Sequence, residues 1–164
     1  MKLRSVIIAG LITILAIAPT HAQEETDFRD LRWGDPLDKL GTDAREVVRV
    51  EGLVTYRKIN EDLSLGSLPV TYISYIFFDG RLMGVLIGIN DRDTKWAKDV
   101  LQAKYGPPLT ESRITDDATW LTDRTMVILS DRFNDAYIGL VSRKLDEEYK
   151  EWRERQAEKD AAAW

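Results

Sequence analysis

Residues 70–89 read VTYISYIFFDGRLMGVLIGI, and this stretch decides the fold. Residues 70–78 are rich in β-branched and aromatic side chains, which favour strands. Asp79-Gly80 predicts a two-residue hairpin turn, because both positions tolerate a positive φ. Residues 82–89 then return antiparallel to the first strand, so we expect a sheet built around this hairpin.

The alternation of side chains along a strand divides residues 82–89 between two faces. The predicted core face holds Met83, Val85, Ile87 and Ile89. The opposite face holds Leu82, Gly84, Leu86 and Gly88. Gly84 and Gly88 let another group approach closely, which favours a packed helix or a neighbouring backbone; a ligand groove is the alternative.

Four further segments have strand patterns and three have helix patterns. The predicted strands are residues 53–59, 118–122, 125–130 and 136–142. Asp35-Pro36 and Gly41 bracket a helix of one or two turns, and residues 95–105 repeat apolar side chains at helical spacing before Gly106-Pro107-Pro108. Residues 144–164 form a third, strongly charged helix.

These elements predict an α+β fold over residues 23–143, followed by the charged helix 144–164. Strand runs joined by hairpins favour an antiparallel meander sheet of about six strands, and we expect the helices on one face. A weak internal echo also predicts two helix-plus-three-strand repeats. In it, Leu40-Gly41 precedes Tyr56 much as Tyr105-Gly106 precedes Trp120.

Residues 1–22 have the layout of a secretory signal peptide. Lys2 and Arg4 precede an uncharged, mostly apolar run over residues 6–18, and a break leads to a cut predicted after Ala22. As a helix this run rises only about 20 Å, which is too short for a bilayer core of about 30 Å. We therefore expect a periplasmic or secreted protein with no membrane span after cleavage.

The predicted cut removes the only histidine, His21, and the chain has no cysteine. Imidazole acid–base chemistry, thiolate nucleophiles, Cys/His zinc sites and disulfides are then unavailable. The formal net charge of −5 becomes more negative without Lys2 and Arg4. Such a chain is poorly suited to nucleic acid or to anionic lipid, and we predict no cofactor and no metal.

Acidic residues offer the remaining catalytic chemistry. Six aspartates lie at predicted loops or element edges: Asp91, Asp93, Asp116, Asp117, Asp131 and Asp135. Two of them could serve a carboxylate-based hydrolase, but helix capping and turn formation explain such residues better. A calcium loop starting at Asn90 lacks its glycine and closing acid, and serines have no histidine to activate them. We therefore predict no catalytic residues.

The aromatic residues divide into two groups. Trp96 and Trp120 lie on apolar patterns and are expected in the core. Tyr149, Trp152 and Trp164 lie on the charged C-terminal helix, whose apolar stripe is thin. That stripe either docks on its own domain or forms a contact surface for a partner protein.

Tyr105-Gly106-Pro107-Pro108, a loop, Trp120 and residues 126–129 (MVIL) resemble the helix–Gly–x–Pro–loop–Trp–strand pattern of the SmpA/OmlA group. Those are small envelope lipoproteins associated with outer-membrane protein assembly. The tandem helix-then-meander unit is similar to that of the secreted β-lactamase inhibitor proteins. This chain lacks the lipidated cysteine of the first group and the disulfides of the second. The resemblance implies an architecture and a binding role, and no site residues.

A second resemblance rests on Phe28-Arg29, Trp33-Gly34 and the Tyr56-Arg57 strand. These resemble exported bacterial proteins known only as a domain-of-unknown-function family. Export and the lack of a catalytic motif together predict a non-catalytic binding module that contacts another cell-envelope protein. A carboxylate-based hydrolase acting on cell-wall or extracellular carbohydrate is one alternative. A small-ligand carrier using Gly84 and Gly88 is the other.

Overall fold

The computed structural model describes residues 26–112, 114–132 and 135–163, so the predicted signal peptide and Trp164 lie outside the described residues. The described chain forms nine strands and two α-helices. The helices are α1 (Thr94–Tyr105) and α2 (Arg143–Ala161). The strands are β1 (Ala44–Val50), β2 (Leu53–Lys58), β3 (Ser64–Leu65), β4 (Leu68–Phe78), β5 (Arg81–Ile89), β6 (Thr110–Glu111), β7 (Ala118–Leu121), β8 (Thr125–Arg132) and β9 (Asp135–Ser142).

The strands form one sheet in the order β1-β2-β4-β5-β9-β8-β7-β6, with β3 paired beside β4. Every strand pair is antiparallel. The predicted α+β class and antiparallel sheet are therefore confirmed. The order also places two meanders back to back, β1-β2-β4-β5 and β9-β8-β7-β6, each preceded by a helix. Two tandem units would give this order, with four main strands in each rather than three.

The prediction of about six strands is too low, because three strands have weak sequence patterns. β1 mixes valines with charged residues, and all but its first residue are exposed. β3 and β6 contain two residues each. Such short strands exist because a neighbouring strand supplies their hydrogen bonds, and a residue pattern cannot reveal them.

The predicted hairpin is confirmed at the centre of the first meander. β4 and β5 pair with Phe78 opposite Arg81, and the two turn residues have positive φ, 49° at Asp79 and 71° at Gly80. This is the backbone conformation that a tight hairpin with right-handed strand twist needs.

A β-bulge corrects the predicted faces of the returning strand. Ile76 pairs with Gly84 while Phe77 pairs with Leu82, so Met83 is an extra residue in β5. The bulge places Leu82 in the main core beside Val85, and Met83 belongs to a separate cluster. An extra residue reverses, on one side of the bulge, which side chains point to each face of the sheet. A sequence prediction that assumes strict alternation cannot anticipate this change.

The two helices lie on opposite faces of the sheet, which corrects the prediction that helices share one face. Neighbouring strand residues point to opposite faces. Phe77 belongs to the main core, to which α1 contributes Ala97 and Leu101. Phe78 belongs to the second cluster, to which α2 contributes Leu145.

The predicted first helix is a single 3-10 turn, Leu37–Leu40. Asp35 does not cap it; its Oδ2 instead accepts a hydrogen bond from the backbone N–H of Arg32 at 2.8 Å. Gly41 ends the turn with a φ of 98°, which favours glycine, but its ψ of 169° is extended and differs from the left-handed helical stop that the sequence predicts. This turn and the residues before it contribute three buried side chains to the main core: Phe28, Leu31 and Leu40.

A polar network ties the residues before this turn to the loop that precedes β3. The Arg29 guanidinium forms an ion pair with Glu61 and donates a hydrogen bond to the Ser64 carbonyl at 3.2 Å. The buried Tyr75 hydroxyl donates to Glu61 Oε2 at 2.9 Å. Burial, together with the hydrogen bond to Glu61, raises the pKa of Tyr75 above its ordinary value of 10.0.

We expect this raised pKa of Tyr75 to make the fold sensitive to alkali. The neutral phenol is favoured in the folded state, so its stabilisation is complete below pH 10. Above that pH the unfolded chain loses a proton that the folded chain keeps, and the free energy of unfolding falls by up to about 1.4 kcal/mol per pH unit. Urea unfolding across a pH series should show this decline in the wild type and a smaller one in Tyr75→Phe. An absorbance titration in which every tyrosine ionises near pH 10 would contradict it.

Candidate functional site

The face of the sheet opposite α1 is only partly covered. Among the described elements, α2 is the helix on this face, and it packs at the end of the sheet that holds Phe78 and Met83. Beyond α2, the face carries apolar side chains of intermediate exposure on four neighbouring strands. We call this surface the open face and define it by five residues: Tyr72, Ile76, Leu86, Ile128 and Tyr137.

The register of the sheet brings these residues together from distant parts of the chain. Leu86 and Ile128 both pair with Gly139, on either side of β9. Tyr72 and Tyr137 both pair with Gly88, one residue pair further along the same face. Side chains in such cross-strand rows are close enough to form one surface.

Small residues form the floor of the open face. Ser74 is 2% exposed and lies opposite Leu86. A Cβ atom at Gly139 would be in ordinary van der Waals contact with Ile128 Cβ at 3.8 Å and Tyr137 Cε2 at 4.0 Å, so a small side chain would fit there. Ser74 and Gly139 therefore lie between larger apolar side chains.

The candidate groove at Gly84 and Gly88, which the sequence offered as the alternative to close packing, is filled by the protein itself. A Cβ atom at Gly84 would lie 2.9 Å from the Leu140 carbonyl oxygen, and one at Gly88 would lie 2.2 Å from Tyr72 Cε1. Both glycines thus allow close packing inside the sheet, which is the interpretation that the sequence favours. The glycine of this face with room for a small side chain is Gly139, which sequence reasoning missed. The alternation of side chains along β9 could have found it, because Gly139 lies on the face opposite Ile138 and Leu140.

The open face continues over the second meander into a shallow cavity of about 430 Å³. Ile128 and Tyr137 border the cavity, and Thr119 and Ser130 give it hydroxyl groups. Asp117 lies at the same end, where its Oδ1 accepts a hydrogen bond from the backbone N–H of Asp131 at 2.8 Å. One end of the open face is therefore polar.

A cationic side chain, Arg57, lies at the other end of the open face. Arg57 on β2 donates from Nε to Ser74 Oγ at 2.8 Å, and its guanidinium carbon lies 4.5 Å from the centre of the Tyr72 ring. This arrangement holds a positive charge over the edge of the apolar surface and fixes the Tyr72 ring. The open face is thus apolar in its middle and charged at its rim.

The candidate partner residues Tyr149 and Trp152 contact their own domain. Their rings lie 5.3 Å and 6.0 Å from that of Phe78, measured between centroids. Trp152 also covers Gly52, where a Cβ atom would lie 2.8 Å from Cη2 of the indole. Both side chains are half-buried. The stripe therefore docks α2 on the sheet, and Trp164 lies outside the described residues.

Replacing Trp152 with alanine is expected to lower the free energy of unfolding by about 1–2 kcal/mol. The variant loses the contacts of the half-buried indole with Phe78 and with the backbone at Gly52. Chemical denaturation should detect the change. Glu154→Ala, at an exposed position of the same helix, is the control and should change stability by less than about 0.5 kcal/mol. Equal stability of both variants would mean that α2 is not held by this ring.

The predicted acidic residues are partly brought together beside the first turn of α1. The Thr94 hydroxyl lies 3.4 Å from Asp116 Oδ2 and 3.5 Å from Asp131 Oδ2. Lys98 Nζ lies 3.9 Å from Asp116 Oδ1 and also pairs with Glu111. Within the described ranges, no group of three acidic or histidine side chains is placed to hold a metal ion.

The remaining aspartates have local contacts or lie at the surface. α1 begins at Thr94, and Asp93 precedes it without a side-chain capping bond, although its Oδ2 accepts a hydrogen bond from the Asn90 amide at 3.3 Å. Asp91 is exposed. The backbone of Asp135 begins β9, opposite Arg132. The structure therefore does not bring the six candidates into one cleft.

Comparison with protein-family models, curated proteins and solved structures gives no match. The class is therefore defined by the fold itself: an α+β protein on one antiparallel sheet, with a partly uncovered apolar face. None of the described helices is long and apolar enough to cross a membrane. The resemblance to SmpA/OmlA proteins and to β-lactamase inhibitor proteins stays a prediction from the sequence motif.

Proposed function

We propose that this protein is a non-catalytic binding module of the periplasm or the extracellular space that contacts another cell-envelope protein through the open face. The observation that carries the proposal is the contiguous set of apolar side chains of intermediate exposure beyond α2. Contiguous apolar patches at the surface of a folded protein are typical of interaction sites. The export assignment rests on residues 1–22.

The composition of the open face supports a protein partner. Tyr72 and Tyr137 are the kind of amphipathic side chain that is enriched in interfaces, and Arg57 extends over the first of them. Leu86 and Ile128 supply an apolar centre above the small residues Ser74 and Gly139. An apolar centre with a charged rim is the usual anatomy of a transient interface.

Photo-crosslinking from the open face tests the proposal. A benzophenone amino acid at Ile128 should yield an adduct with one envelope protein in living cells, identified by mass spectrometry. The same group at Gln102, an exposed position of α1 on the opposite face, is the control and should not yield that adduct. Equal adducts from both positions, or adducts only with lipid or with this chain, would overturn the proposal.

A second candidate function, carriage of a small ligand, is favoured by the cavity beside Ile128 and Tyr137. Its volume of about 430 Å³ lies within the range of small-molecule sites. Tyr137 and Thr119 line this cavity, whereas Trp120 of the same strand β7 lies in the main core on the other face. Ligand binding is therefore measured by isothermal titration calorimetry, with Ile128→Glu expected to abolish it. A ligand panel that gives no binding heat, or the same heat with Ile128→Glu, would count against this candidate.

A further inference from the structure

The two edge strands of the sheet differ in length, and therefore in how much unpaired backbone they expose. At one end, β6 has only two residues. At the other end, β1 has seven, and it pairs with β2 alone. Val48 and Val50 are 50% and 55% exposed on this strand. A long edge strand presents a row of free backbone N–H and C=O groups to any extended chain.

The edge strand also carries a surplus of positive charge. β1, β2 and their turn hold four cationic side chains and two carboxylates in an acidic protein. Glu46 pairs with Arg49 at 2.8 Å, and Glu51 pairs with Arg153 at 3.3 Å. Of these four cations, Arg45, Arg57 and Lys58 have no carboxylate partner among the described residues.

Arg45 and Arg57 are cross-strand partners in the register of β1 and β2, but their guanidinium groups have different neighbours. Arg57 is directed toward β4, where it donates to Ser74 and lies over the Tyr72 ring, so it belongs to the open face. Arg45 donates to the backbone carbonyls of Thr42 and Ala44 at 3.0 and 2.9 Å. Arg45 is therefore the cation of β1 that has no carboxylate partner among the described residues.

We propose that β1 is a strand-addition site that takes an extended, acidic segment of another protein. The backbone of β1 supplies the hydrogen bonds, Val48 and Val50 supply apolar contacts, and Arg45 supplies charge complementarity. The proposal goes beyond the proposed function, because it adds a second contact surface at the edge of the sheet and names the chemistry of the partner.

Charge argues against a second copy of this chain as the occupant. A twofold dimer joins a surface patch to the same patch on its partner. Pairing through β1 would therefore bring two cationic edges together, with Arg45 and Arg49 facing their equivalents in several registers. A foreign acidic strand instead meets complementary charge in either direction.

Synthetic peptides test the proposal on the whole chain. The probe is a labelled peptide that alternates valine and glutamate, and the control peptide alternates valine and lysine. We expect the acidic peptide to bind at least about tenfold more tightly, with a difference that shrinks as salt is added. Arg45→Glu should reverse this preference. Hydrogen exchange should show new protection of amides in β1.

Two proline variants separate backbone pairing from charge. The backbone N–H groups of successive strand residues point alternately to the neighbouring strand and to the outer edge. One of the two variants, Val48→Pro or Arg49→Pro, therefore removes an outward N–H and leaves the pairing with β2 intact. The outward variant is recognised because it keeps the cooperative unfolding transition of the wild type. We expect it to bind the acidic peptide about tenfold more weakly.

Four outcomes would overturn the strand-addition proposal: equal binding of the two peptides, protection away from β1, equal binding to anionic vesicles, or dimerisation of the free chain through β1. Ile128→Glu, on the open face, should leave peptide binding unchanged. Peptide binding at β1 without a crosslink from Ile128 would therefore refute the open-face function while supporting strand addition.

Discussion

Replacing Trp120 with alanine is expected to lower the free energy of unfolding by about 4 kcal/mol. Trp120 is 1% exposed and is the largest fully buried side chain of the described chain. Its indole N–H donates to the Gly106 carbonyl at 2.9 Å, which joins β7 to the end of α1. Alanine would leave a cavity and also take the indole donor from that carbonyl. Equilibrium denaturation measures the change.

Trp120→Phe is the matched control for this prediction. Phenylalanine keeps most of the buried volume and loses the hydrogen bond to Gly106, so we expect a loss of only about 1–2 kcal/mol. A similar loss in both variants would mean that the hydrogen bond, and not the filling of the core, determines the effect. An alanine variant as stable as the wild type would contradict the packing described for β7.

Ile128→Glu is expected to reduce partner binding through the open face by about 30-fold or more. The substitution places a carboxylate in the apolar centre of the proposed interface, where burial without a counter-charge costs about 2 kcal/mol or more. Ile128 is half-buried, so the new carboxylate can still reach water in the free protein. Quantitative capture of the crosslinked partner, with and without the substitution, measures the effect.

Ile114→Glu makes the same chemical change away from the open face. Ile114 is 95% exposed in the loop between β6 and β7, so its replacement should change neither stability nor partner capture. Far-ultraviolet circular dichroism and the unfolding midpoint establish that the Ile128→Glu variant remains folded. Full capture by that folded variant would exclude the centre of the open face as the contact.

Residue pattern was sufficient for the central hairpin. The run over residues 70–78, the Asp79-Gly80 turn and the return strand all appear where their local chemistry predicts them. The helix ending before Gly106 and the burial of Trp120 were predicted for the same reason. Each depends on strand propensity, turn conformation or apolar spacing within about ten neighbouring residues.

Pattern failed where a distant strand decides the outcome. The two-residue strands β3 and β6 form only because they pair with β4 and β7. Met83 lies outside the predicted core face because the pairing of β5 with β4 shifts by one residue at the bulge. Pattern also left two alternatives for Tyr149 and Trp152, docking on their own domain or contact with a partner. Their contacts with Phe78 depend on where α2 crosses the sheet.

The sequence by itself determined two elements, the central antiparallel hairpin and the charged C-terminal helix, and it excluded disulfides because the chain has no cysteine. Only the tertiary structure decided which faces are covered, because α1 and α2 settle on opposite sides of the sheet. The open face gathers Leu86, Ile128 and Gly139 from separate strands. Such a surface arises from register between strands far apart in the chain, and register is set by the packing of the whole sheet.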